Sequence, residues 1–315
     1  MPAPLVVELA IDQVQAHRVV GFEIDRELGR PAQATVLARM LGYLDPQALV
    51  GVSASLRFGH GAFEQGFDGL IRSVASVATP SQGSEAQWSL RLELVSLLGL
   101  LEHSVSSCIF QDQSVPDIVK AVLANHGIDA RKQIWKLSQS YAPRSYCVQY
   151  AETALDFVHR LLEKEGIFYS SRWGDDGEVV VFEDDSKSCD ALDGDSRLEY
   201  VTSSGLRQAG EVLHTLSETH RVASGKVVLR DYDFERPDLD LTTDASADLD
   251  EDLELYDYPG GYLDPAQGSR YARVQLEAEQ AERRVVEAQS NCARLSEGRR
   301  LTLADAPRGL DGDYL

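Results

Sequence analysis

Two helices with complete start and stop signals, followed at once by a hairpin, lie between Ser107 and Phe182, and they constrain the fold more than any other stretch of the 315 residues. In SVPDIVKAVLANHG, Ser114 stands as N-cap, Pro116 falls in the first turn where its missing N–H costs nothing, and Asp117 favours the positive end of the helix dipole. Val115, Ile118, Val119, Val122 and Leu123 recur at helical spacing, which predicts one buried face with Lys120 and Asn125 in water, and Gly127 ends the helix. TALDFVHRLLEKEG repeats the design, with Thr153 as cap, Asp156 in the third position, a stripe of Leu155, Val158, Leu161 and Leu162, and Gly166 as the stop. IFYSSRW and VVVF then flank Gly174-Asp175-Asp176-Gly177, whose Asp-Gly pair predicts a tight hairpin turn.

On either side the chain reads as strands. LVVELAI, VVGFEI, PAQATVLARM, VSASLRF, GFDGLIRSVASVA and WSLRLELV precede the helices, separated by turn residues Gly21, Gly29-Arg30-Pro31, Asp45-Pro46 and Gly59-His60-Gly61, the spacing of a barrel or sandwich. Trp88, Leu90, Leu92 and Leu94 alternate, so one strand face is core. SRLEYVTSS, GEVLHTLSETHRV and KVVLRDYDFERP follow the helices, which makes the class α+β and mostly β. SRYARVQLEAEQAERR, from Gly268 to about Arg284, predicts a third helix capped by Ser269. Val274, Ala278, Ala281, Val285, Ala288, Cys292 and Leu295 would extend it as a coiled-coil seam, but three alanines pack poorly as knobs.

Composition excludes several functions. Thirty basic against 51 acidic residues leave a net charge of -21, the wrong sign for a nucleic-acid binder. A hydrophobic content of 43% supplies real cores, and the length suggests two or three domains. The opening MPAPLVVELAIDQ has no basic n-region and the apolar run Leu94 to Leu101 is short for a bilayer, so cytoplasmic synthesis and no membrane insertion are expected. Cys108, Cys147, Cys189 and Cys292 form no C-x-x-C pair and are expected to be buried free thiols. TTDASADLDEDLE reads as a solvated loop; Asp248, Asp250 and Asp252 have the spacing of a calcium loop, but Leu253 and Pro259 stand where Gly and Glu are required. No catalytic motif is present, and Gly225-Lys226 lacks the preceding glycine of a phosphate cradle. His214 and His220, six apart on a strand, are too distant for shared ligation. Glu163 and Glu165 diverge on their helix toward a solvated face, and Asp231, Asp233 and Glu235 would share a strand face and repel. No catalytic, cofactor-binding or metal-ligating residue is therefore assigned.

IFQDQSVPDIVKAVLANHG followed by YCVQYAETALDFVHRLLEKEGIFY resembles the signature of VgrG proteins, the type VI secretion spike, relatives of the baseplate hub of contractile-tail phages. KVVLRDYDFERP and LELYDYPGGYLD are similar to two further hallmarks. The motif residues, all expected to be structural, are Phe110, Gln111, Asp112, Pro116, Gly127, Phe157, Leu161, Gly166, Asp231, Tyr232, Tyr256, Pro259 and Gly260. The resemblance implies a phage tail hub-like fold of two β-barrel hub domains with an α/β insertion: residues 1–106, the insertion at 107–190, and 191–315 with an inserted helix. VVEAQSNCARLSEGRRLTL resembles the strand, turn and strand that close the second barrel, in place of a coiled coil. GLDGDYL is similar to the segment that leads into an OB-fold and a β-helical needle, so the chain is expected to be the hub portion alone. The implied function is a non-enzymatic homotrimer that caps the hexameric Hcp tube, carries the needle and effectors or adaptors, and meets baseplate components. It would assemble in the cytoplasm and then be secreted or translocated by the apparatus. The hub of a phage tail or extracellular contractile injection system is the alternative, and an acidic-cleft hydrolase on Asp231, Asp233 and Glu235 a third.

Overall fold

The computed structural model describes residues 5–12, 14, 18–40, 44–60, 65–79, 87–174, 177–202 and 210–315. Six strands come first: β1 (Leu5–Ile11), β2 (Arg18–Asp25), β3 (Gln33–Met40), β4 (Ser53–His60), β5 (Gln65–Thr79) and β6 (Gln87–Val95). They form one sheet in the order β1-β4-β5-β6-β3-β2, antiparallel throughout, and its terminal strands β1 and β2 also lie against each other, so the sheet curls toward closure. The curl encloses Leu9, Ile11, Val36, Leu56, Phe67, Ile71, Leu90, Leu92 and Leu94, because a period of two sends alternate residues inward. The side chain of Trp88 lies outside the described residues, as does Gly61. Gly21 is not a turn: it sits inside β2 where the register to β3 shifts, a bulge rather than a strand end. Asp45 instead caps a short 3₁₀ turn, accepting from the Gln47 N–H at 3.0 Å.

The α/β segment follows as β7 (Val105–Phe110), α1 (Val115–Asn125), β8 (Gln133–Lys136), β9 (Cys147–Thr153), α2 (Ala154–Glu165), β10 (Phe168–Gly174) and β11 (Gly177–Glu183). Both helices start where their caps predict, with Ser114 Oγ accepting from Asp117 N–H at 3.4 Å and Thr153 Oγ1 from Asp156 N–H at 2.9 Å. Gly127 and Gly166 end them at φ +79° and +71°. The buried face of α1 is Val115, Ile118, Val119, Val122 and Leu123. β10 and β11 form the hairpin, with Gly177 at φ +95°; Asp175 and Asp176 lie outside the described residues. β8 extends that sheet in parallel beside β11, and β7 pairs with β9.

The remaining elements are β12 (Arg197–Tyr200), β13 (Val212–His220), β14 (Lys226–Arg230), β15 (Thr242–Ser246), β16 (Glu254–Asp257), α3 (Pro265–Ala281), β17 (Arg284–Ser290), β18 (Leu301–Ala304) and β19 (Gly312–Tyr314). The chain divides into two compact units, the first within Met1–Arg160, Phe168–Val212 and Asn291–Leu315, the second within Leu161–Ile167 and Leu213–Ser290. In the first, β12 pairs in parallel with β18, which pairs with β19. In the second, β13 pairs with β17, and β14 is the centre of a β15-β14-β16 sheet covered by α3.

Several expectations change here. Thr242–Ser246 is a strand rather than a solvated loop, because Thr243 and Ala245 alternate inward between exposed Thr242, Asp244 and Ser246. Asp250, in the turn that follows, pairs with Arg283 at 2.6 Å. α3 begins at Pro265 with Asp264 as its cap; Ser269 is inside the helix, donating to the Pro265 carbonyl at 3.0 Å. Its end at Ala281 and the strand β17 confirm that the alanine-rich spacing is no coiled coil. β14 stops at Arg230, so Asp231, Asp233 and Glu235 share no strand face. Thr215 is the extra residue of a bulge between His214 and Leu216, which breaks the alternation that would align His214 with His220.

Candidate functional site

The motif residues of the α/β segment form a packed corner. Phe110 stacks on buried Phe157 with ring centroids 5.6 Å apart, Pro116 is buried in the first turn of α1, and Asp112 takes φ +54° next to Gln111 where the chain leaves β7. At the other end of α1, His126 bridges the Val122 carbonyl and Ser104 Oγ at 2.8 and 3.0 Å, beside Gly127. Phe157 and Leu161 are fully buried on α2. Pro116, Phe157 and Leu161 are thus packing residues, whereas Gln111 and Asp112 are exposed.

A second corner lies in the smaller unit. One Asp231 carboxylate oxygen accepts from the N–H groups of Gly261 and Tyr262 at 2.5 and 3.2 Å, and the Gly260 N–H donates to the Arg230 carbonyl at 2.9 Å. The loop after β14 is thereby tied to the Pro259–Tyr262 turn after β16. Tyr262 is wedged between glycines, for a Cβ on Gly260 or Gly268 would stand 2.4 or 2.3 Å from its ring. Its buried hydroxyl lies 2.5 Å from the Leu241 carbonyl, 3.0 Å from that of Leu229 and 3.1 Å from Thr243 Oγ1, and burial raises its pKa. Gly261, not Gly260, has the positive φ of this turn, +71°. Tyr232 and Tyr256 of the motif point to solvent.

Glu165 departs from the solvated face expected of it. It is buried, paired with Arg270 and accepting from the Tyr271 hydroxyl at 2.9 Å, while Glu163 is exposed. Nothing in the local sequence distinguished the two; only the approach of α3 to the end of α2 does.

The larger unit holds two charge clusters that sequence reasoning missed. Glu183, wholly buried, faces Lys136 at 3.7 Å and Arg172 at 3.8 Å, and Asp190 binds Lys136 at 2.7 Å as well as Arg172. Hydrogen bonds from Lys136 and Arg172 pull the Asp190 carboxyl down to about 2. Burial, with Glu183 at 3.7 Å, pushes the neighbouring Cys189 thiol up to about 11. Elsewhere Glu178 lines a cleft of about 500 Å³ with Ser53, Ser55, Asp68 and Lys132, accepting from Ser171 Oγ at 2.6 Å and Leu97 N–H at 3.2 Å. Burial raises its pKa. Glu178 and Glu183 are buried positions of β11, five residues apart and so on opposite faces of the strand, and strand position alone cannot tell a carboxylate's partner. Cys147, Cys189 and Cys292 are buried, whereas Cys108 is exposed on β7, contrary to expectation. No group of metal-ligating side chains is found among the described residues.

The model of the phage tail baseplate hub (GPD) family matches residues 25–315. The chain belongs to this family. VgrG1b of Pseudomonas aeruginosa, a type VI secretion system spike protein, is 32% identical over 305 residues, 95% of this chain and 40% of that protein. VgrG4b, another spike protein of the same organism, is 35% identical over 269 residues, 84% of this chain and 32% of the relative. The chain thus spans less than half the length of these relatives. Among solved structures it is similar to the E. coli c3393 protein, a component of the type VI secretion system, with a TM-score of 0.71 and 20% identity over 96% of this chain and 68% of that one. A tail protein from Neisseria meningitidis MC58 gives a TM-score of 0.69 at 13% identity, covering 99% and 90% of the two chains. The tail-hub fold expected from the motifs is therefore borne out, as is the VgrG resemblance: this is a mostly β hub of the VgrG and phage-tail kind, and the family is one of structural proteins.

Proposed function

We propose that this chain is the structural hub of a type VI secretion spike: a homotrimer that caps the hexameric Hcp tube, meets baseplate components, and carries a needle with effectors or adaptors. The observation that carries the reading is the likeness to spike proteins across 95% of the chain. We divide the hub into barrel domains at 1–106 and 191–315 around an insertion at 107–190, and give the motif residues from Phe110 to Gly260 a structural role in holding the two corners. Three chains would then present six barrels, a number that matches a hexameric tube. The protein assembles in the cytoplasm and leaves through the apparatus. Among the described residues no helix is long and apolar enough to cross a membrane.

The test is to mix the purified chain with assembled Hcp and, separately, with dye-loaded liposomes, after light scattering across ionic strength. Three copies would carry 3 × -21 = -63 formal charges, so apolar burial must overcome a repulsion that salt screens. Expected are a trimer favoured by salt, co-sedimentation with the tube through an interface on the order of 1,000 Å² or more, and no dye release. A strict monomer at every concentration and salt, or dye release without tube binding, overturns the reading.

A further inference from the structure

We propose that the end of the smaller unit at which β14 and β16 finish is a docking surface for a basic, arginine-bearing polypeptide segment. β14 and β16 run parallel, with Leu229 opposite Asp257, so both strands deliver their following loops to one end of the sheet. The loop after β14 carries Tyr232 and Phe234, and the one after β16 carries Tyr258 and Leu263. Three ties join the loops: the Asp231 carboxylate on the N–H groups of Gly261 and Tyr262, the Gly260 N–H on the Arg230 carbonyl, and an Arg236 N–H on the Leu263 carbonyl at 2.9 Å. The backbone is fixed, yet the apolar side chains remain in water, Phe234 79% exposed and Tyr232, Tyr258 and Leu263 at 55–56%. Single exposed apolar residues are ordinary, but four carried on two loops tied to each other gather apolar surface at one end of the sheet, as interaction sites do.

Charge selects the occupant. Exposed Glu235, Asp238, Asp240, Asp257 and Asp264 lie on or beside these loops, against three cations: exposed Arg230, exposed Arg236, which Asp233 engages at 2.8 Å, and half-buried Lys164, whose ammonium lies beside Gly261. Aromatic faces bordered by carboxylates suit a guanidinium, which stacks on a ring while its N–H fork meets a carboxylate. An acidic segment or a nucleic acid would be repelled. The inference rests on these loops alone and stands or falls separately from the hub reading.

The experiment titrates a peptide of alternating arginine and glycine into the chain at physiological salt, beside lysine–glycine and glutamate–glycine peptides of equal length. It is repeated on the double variant Phe234→Ala/Tyr258→Ala, both exposed positions, with circular dichroism and thermal unfolding to show that the variant folds like the parent. The expected result is saturable binding of the arginine peptide, weaker binding of the lysine peptide, none of the glutamate peptide, and an affinity loss of at least about fivefold in the variant. Equal binding in the variant overturns the proposal, since the overall negative field would then explain the affinity. So does the absence of saturable binding, or a variant that changes only self-association and leaves the peptide affinity intact, which would assign the patch to a second copy of the chain.

Discussion

The β1–β6 sheet encloses leucine, isoleucine, valine and alanine at alternate positions, whereas the β14–β16 sheet and α3 close over two tyrosines and meet a buried carboxylate. In the first the stabilising term is apolar area, which is non-directional and tolerant of small shifts. In the second, Tyr262 and Tyr271 bring hydroxyls inside with them, and each must find a partner: the Leu229 and Leu241 carbonyls and Thr243 for one, Glu165 for the other. A small core thus gains ring area at the cost of dependence on a few directed bonds. The two regions should fail in different ways when disturbed.

The largest effect is expected in the larger core. Leu92→Ala, at a fully buried position, should cost about 2–5 kcal/mol and speed hydrogen exchange in β3 and β6; a loss below about 1 kcal/mol would mean that this core collapses around cavities. In the smaller unit Glu165→Ala should cost about 1–3 kcal/mol, since it removes the carboxylate that Arg270 and the Tyr271 hydroxyl share; Arg270 keeps the backbone carbonyl of residue 165 and Tyr271 keeps Gln267, which holds the figure below that of a wholly stranded buried pair. Glu165→Ala/Arg270→Ala should then recover part of the loss in thermal unfolding, and failure to do so would put the energy in packing instead. Gly261→Val forces a β-branched residue to φ +71° and should cost roughly 1–3 kcal/mol, with Gly260→Val destabilising by a separate route, collision with the Tyr262 ring. Unchanged melting in either variant would show that the turn relaxes freely.

The smallest effect is on pH dependence. The Asp190 carboxyl sits below its ordinary value, at about 2, so its contribution is present above the unfolded pKa of about 4 and is lost as pH falls from about 4 toward 2. Burial moves Glu178 the opposite way, so its cost grows as pH rises past the ordinary carboxylate range. Asp190→Asn should therefore flatten the acid limb of stability against pH, and an identical acid limb would remove Asp190 from the account.

Much of the architecture was legible from local rules. Ser114 and Thr153 began their helices, Gly127 and Gly166 ended them, and the alternation through Leu90, Leu92 and Leu94 marked the core face of β6, because caps, stops and period-two burial act over a few residues. Local polarity misled at Thr242–Ser246, where a strand of mostly polar residues forms because β14 offers it a ladder. It misled again at Glu165, whose burial depends on Arg270 and Tyr271, more than a hundred residues away.

What the sequence by itself determined is the mostly β class around an α/β segment, the limits of α1 and α2 set by their caps and glycine stops, and the family to which the chain belongs, all of them encoded in short runs or in a long motif. Tertiary structure alone decided which carboxylates are buried, which tyrosines close a core and which stand in solvent. Tyr262 and Tyr258 are near neighbours in one motif, yet the first is wedged between Gly260 and Gly268 while the second is exposed. The physical reason is that burial and hydrogen-bond partnership depend on elements brought together from far along the chain, and residue type records only that a partner is needed.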